Sequence, residues 1–116
     1  MILSEEQTMI RDMARDFATK RLAPDTMAWE QAEAVPREVF DEMGALGLMG
    51  MTVPEAYGGA GTDFVSYALA LMEIAGGDGA ISTVMSVNNS PCCAALLKDG
   101  TEEQKQTYLT SLAKGR

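Results

Sequence analysis

At 116 residues, 47% of them apolar, the chain is one domain's worth of sequence with enough apolar side chains for a core. Nine basic against seventeen acidic residues leave a formal charge of −8, which argues against nucleic acid or an anionic membrane as a partner, since both need a basic patch. There is no histidine, and the only cysteines, Cys92 and Cys93, are adjacent and bridge only under strain, so a zinc site, a disulfide framework and a Ser/His or Cys/His pair all lack their parts.

The opening MILSEEQ carries no basic and apolar leader, and no apolar run approaches the ~18 residues of a membrane span, so the expectation is a cytoplasmic chain with no membrane span. Ser4 followed by Gln7 is a capping-box pattern that starts a helix. Ile10, Met13, Ala14, Phe17 and Ala18 lie on one face of it, and Pro24 closes it near Ala23. A shorter amphipathic piece with Met27 and Trp29 runs to Ala34. Pro36 suits the first position of the next helix, where its missing N–H costs nothing. Val39, Phe40, Met43 and Leu46 form that helix's inward stripe, and Gly47 terminates it.

From Leu46 to Gly61 the periodicity stops: LGLMGMTVPEAYGGAG holds five glycines and Pro54 among apolar residues. This pattern predicts an ordered, partly buried connection with a fixed shape, in which only Met51 to Val53 is suited to pairing in an extended form. Thr62 or Asp63 then caps a helix over Phe64 to Ala75, with Tyr67, Ala68, Leu71, Met72 and Ala75 as its apolar face. Gly76, Gly77 and Gly79 break the chain around Asp78. Ala80 to Val87, AISTVMSV, has no charge and no long polar side chain, which predicts a helix buried on every side. Asn88, Asn89 and Ser90 must find partners if buried. Pro91 marks a kink or a fresh start, leading into Cys92 to Leu97, which Gly100 ends. Thr101 to Gln104 is a second capping box, opening a helix with Tyr108, Leu109 and Leu112 inward, and Gly115 is its stop. The expected fold is all-α, a bundle of about six helices with an ordered glycine-rich connection.

No constellation here runs a reaction unaided. The carboxylates fall on predicted solvent faces or caps, Glu73 in its apolar helix being the least settled. The glycines at 58 to 61 lack the Lys-Ser/Thr and the preceding strand of a phosphate loop. Cys92 and Cys93 read as small core residues. From the residues alone, a stand-alone helical binding or oligomerisation module stays open.

Three segments together, LSEEQ…ARDFA, LGLMGMTVPEAYGGAG and MSVNNS…GTEEQKQTYL, resemble the N-terminal helical domain of the acyl-CoA dehydrogenases, in order and spacing over nearly the whole chain. The MSVNNS form at Met85 to Ser90 is similar to the short-chain, butyryl-type branch. The resemblance implies that residues 1–116 are one domain of a flavoprotein oxidoreductase of fatty acid β-oxidation roughly three times as long, whose central β-domain and C-terminal helical domain are absent here. Those domains would bind FAD and carry the glutamate that removes the α proton of an acyl-CoA thioester, the β hydrogen leaving as hydride and trans-2-enoyl-CoA forming. Electron-transferring flavoprotein and a homo-oligomer, a tetramer in most relatives, are the implied partners. No catalytic, cofactor-binding or metal residue is expected within this chain. The implied contribution is a wall of the acyl pocket from Thr83, Val84 and Val87, with Met85 beside them. Pro91 and Cys92-Cys93 depart from the family pattern at the floor end of that wall. Acyl-CoA oxidases and nitroalkane oxidases resemble the same domain and form the alternative enzymatic reading.

Overall fold

Both capping boxes form. The Ser4 hydroxyl accepts from the Gln7 amide at 3.1 Å while the Gln7 side chain accepts from the Ser4 amide at 2.9 Å, and Thr101 and Gln104 repeat the exchange at 3.2 and 2.9 Å. In the computed structural model, which describes residues 1–116, the helices are α1 (Glu5–Phe17), α2 (Thr26–Ala32), α3 (Arg37–Ala45), α4 (Phe64–Gly77), α5 (Gly79–Val87), α6 (Ala95–Asp99), α7 (Glu102–Gln104) and α8 (Thr110–Ala113). π-Helical stretches prolong α1 (Ala18–Leu22), join α5 to α6 (Asn88–Ala94) and join α7 to α8 (Lys105–Leu109), which leaves six rods and no strand, an all-α fold. No helix is long and apolar enough to cross a membrane.

The chain divides into two compact units, each built from two separate stretches. In the unit of residues 1–35 and 64–83, α1 and its π-helical tail pack along α4. The buried residues are Ala14, Ala18 and Leu22 on one side and Ser66, Ala70 and Ile74 on the other, the small Ala14, Ala18, Ser66 and Ala70 leaving room for Leu22 and Ile74. A Cβ on Gly77 would fall 2.9 Å from the Ala18 Cβ, so only glycine fits that crossing. The inward face of α4 is therefore not the expected one: Met72 is 70% exposed, and Ala68 and Ala75 also face solvent, while Tyr67 and Leu71 are half-buried. The cause is that α4 is apolar nearly all round, so its period does not select a face. The partner's shape and the clasp of Arg15 on Glu73, at 2.7 and 3.0 Å, do.

In the unit of residues 36–63 and 84–116, the connection after α3 is ordered as expected. Leu48, Met49, Met51 and Val53 are buried, and the chain folds back on itself. Ala60 donates to the Gly50 carbonyl (2.9 Å), Gly61 to that of Val53 (2.9 Å) and Thr62 to that of Met51 (2.7 Å). A Cβ on Gly50 would lie 2.7 Å from Ala113, so a side chain there would push the connection off α8. Val53, Cys93, Leu109 and Ala113 form a core under Tyr57, Leu96, Leu97 and Leu112. Two expected inward residues turn out: Leu46 sits at the C-cap of α3, and Tyr108 lies exposed in the π-helical stretch, while Leu109 beside it is buried as expected. Pro91 does not restart the helix: it lies inside the π-helical stretch that joins α5 to α6. A proline lacks the N–H of the ordinary i→i−4 bond and crowds the carbonyl four residues back, and the widened π-helical turn at Asn88–Ala94 absorbs both.

Candidate functional site

The charge-free helix starts from a buried acid. Asp78 stands just before α5, and one carboxylate oxygen accepts from the Ile81 amide at 3.0 Å while the other accepts the Thr26 hydroxyl. This is an N-cap, worth about 1 kcal/mol, and it fixes the rotation of the helix from its first turn. Ser82 and Thr83 turn their hydroxyl hydrogens back onto the Gly79 carbonyl, at 2.6 and 3.1 Å, so Thr83 presents its methyl and oxygen lone pairs but no free donor.

Beyond the cap the helix has two faces, contrary to the expectation of burial all round. Ile81, Met85, Asn89 and Cys93, spaced by four, are buried. Ala80, Thr83, Val84, Val87, Ser90, Pro91, Ala94 and Ala95 are exposed along the opposite face, which carries no charge. Val84 and Val87 are 44% and 48% exposed, high values for β-branched apolar side chains in mid-helix. Thr83, Val84 and Val87 thus share one open stripe, and Met85 does not: it is fully buried on the other side. The stripe continues past the expected residues through Pro91 to Ala95, which helical spacing from Val87 would have reached.

Two asparagines hold the rear. Asn89 is buried and donates to the carbonyls of Leu48 and Met85, each at 2.9 Å, while its oxygen accepts from the Met51 amide at 2.8 Å. Asn88 donates to the carbonyls of Met49 (2.7 Å) and Leu112 (2.8 Å). The glycine-rich connection cannot satisfy these backbone groups by itself, and the two side chains do it while pinning the helix to both neighbours. Their signal in the sequence was two amides next to an otherwise apolar run.

Two further titratable groups, Glu73 and Cys93, are structural. The Arg15 hydrogen bond and charge hold Glu73 below the ordinary carboxylate value, so it stays ionised and paired rather than free to move protons. Burial pushes the Cys93 thiol up to about 11, which makes it a poor nucleophile. No three His, Cys, Asp or Glu side chains gather as metal ligands would. What the arrangement offers is a smooth uncharged surface, firmly backed, with no acid, base or nucleophile of its own.

Residues 4–116 match the family profile described as acyl-CoA dehydrogenase, N-terminal domain. The chain is similar to an acyl-CoA dehydrogenase of Bacillus subtilis, 44% identical across 99% of this chain and 30% of that protein. Among solved structures it is similar to a glutaryl-CoA dehydrogenase from Mycobacterium smegmatis in complex with FADH2, with a TM-score of 0.92, 37% identity, and coverage of 97% of this chain and 29% of that one. It is also similar to the butyryl-CoA dehydrogenase from Megasphaera elsdenii, with a TM-score of 0.91, 33% identity, and coverage of 99% and 31%. The chain therefore spans about 30% of the length of the relatives it matches.

Proposed function

We infer the function from the family, for this chain belongs to the acyl-CoA dehydrogenases and supplies their N-terminal helical domain. In this reading it works within a longer, FAD-dependent oxidoreductase that removes the α and β hydrogens of an acyl-CoA thioester and leaves trans-2-enoyl-CoA. The residues present do not make a flavin cradle. The open stripe of α5 has no cation to meet a pyrophosphate, its hydroxyls are few, and the nearest charge-bearing groups are tied into pairs and caps. The flavin, which supplies hydride acceptance when bound, and the proton-abstracting carboxylate are accordingly assigned to the remainder of the polypeptide. Onward electron transfer to an electron-transferring flavoprotein and homo-oligomeric assembly follow from the same reading.

The role assigned to this chain is an acyl-pocket wall from Thr83, Val84 and Val87. The observation that carries it is the uncharged stripe itself. An alkyl chain is held by apolar area with nothing left to solvate, and α5 leaves that face uncovered while its other face is bonded down. Met85 belongs to the wall only as packing behind it. The test is Val87→Glu in the flavin-loaded enzyme. A charge on the wall should lower kcat/KM for acyl-CoA by about tenfold or more, with little change in the thermal midpoint, because the position faces solvent in the domain. An unchanged specificity constant would show that another surface holds the acyl chain.

A further inference from the structure

A cavity of about 510 Å³ lies within the unit of residues 1–35 and 64–83. Its apolar walls are Trp29, Val35 and Ala80, and three carboxylates bound it, Glu30 and Glu33 at the rim and Asp78 deeper. Asp78 is 8% exposed and is met there only by neutral donors, the Thr26 hydroxyl and the Ile81 amide. No basic side chain lines the space. Arg21, whose guanidinium sits 5.8 Å from the centre of the Trp29 ring, pairs with Asp25 at 3.5 Å and is not part of the lining.

An aromatic wall, an apolar floor and three carboxylates with no cationic side chain among the lining repel an anionic ligand, so phosphates of a coenzyme do not belong here. They suit a cation carried on an apolar stem. We propose that this cavity is a docking site for an arginine side chain presented by a polypeptide segment outside this chain. A free ammonium or guanidinium would keep its own water in so open a site, whereas a side chain delivers its apolar stem to Trp29 and Val35 along with the charge. Arginine fits better than lysine because its planar, weakly hydrated head stacks on indole while donating to carboxylates at its edge. The chain's net charge of −8 adds long-range attraction of the same sign preference.

Trp29 is the only tryptophan, so its emission reports this cavity alone. The 116-residue chain is titrated with the blocked tripeptide leucyl-arginyl-leucine amide and with its citrulline counterpart, which has the same shape and no charge. Saturable change in Trp29 emission with the arginine peptide, at least about tenfold weaker with citrulline, is the expected result. Glu30→Gln with Glu33→Gln should weaken the arginine peptide by about fivefold while far-ultraviolet dichroism stays the same, since both side chains are exposed and hold no fold contact. Equal binding of the two peptides, no response to either, or an equal response to methylguanidinium at the same concentration would overturn the proposal. So would an emission change that tracks protein concentration without peptide, which would make a second copy the occupant.

Discussion

Asn89 donates both amide hydrogens and accepts at its oxygen, all to backbone groups that have no water to turn to. Asn89→Ala should therefore lower stability by about 3 kcal/mol or more, read from the urea midpoint, because it strands buried groups rather than merely deleting contacts. Cys93 gives a pH signature. Its thiol is raised by burial from about 9 to about 11, so the folded state holds the proton more tightly than the unfolded chain does. That contribution is complete below the ordinary thiol value and is lost as pH climbs through the folded one. Stability should fall by up to about 1.4 kcal/mol per pH unit across this window, and Cys93→Ala should flatten that part of the profile. Urea unfolding at pH 8, 9 and 10 checks it. Both residues were legible in part, the asparagines as amides needing partners and the cysteine as a core filler, but their particular partners were not.

At the scale of the element, α5 is the instructive case. Its sequence states that no charge is tolerated, and that statement is compatible either with burial all round or with an uncharged face held open. The asparagines and Met85 settle it by anchoring one side only. Met85→Ala should cost about 2–5 kcal/mol, and Val87→Ala less than about 1 kcal/mol, since one empties a packed site and the other trims a half-exposed one. Comparable losses from chemical denaturation would mean the two faces had been misassigned. The same ambiguity explains α4, where an apolar perimeter hid the true inward row of Ser66, Ala70 and Ile74. Pro91 shows the reverse: an unmistakable local signal whose outcome, a widened turn rather than a break, depended on the helix being held on both sides of it.

At the scale of the whole molecule, the apolar side chains left in solvent have consequences for the isolated chain. Ile2, Met9, Met27, Phe64, Met72, Val84, Val87 and Tyr108 are all substantially exposed. Apolar side chains left open in this way favour contact with other apolar surface. The purified chain should bind an apolar-surface dye, self-associate in sedimentation and lack the visible absorbance of a bound flavin. A clean monomer that leaves the dye dark, or a stoichiometrically yellow one, would contradict this. These exposed residues had no common signal in the sequence: Leu46 and Met72 obey the same periodicities as Met43 and Leu71, which lie deeper.

Capping boxes, the glycine stops, the all-α class and the family resemblance were decided by residues close together in the chain, because caps and turns depend on backbone groups only a few positions away. Which side of each apolar helix faces inward was decided only in three dimensions. A helix that is apolar on every side carries no azimuthal preference of its own, and takes one from the distant groups that bond and pack against it: Arg15 for Glu73 on α4, and the carbonyls of Leu48 and Met49 for the amides that follow α5.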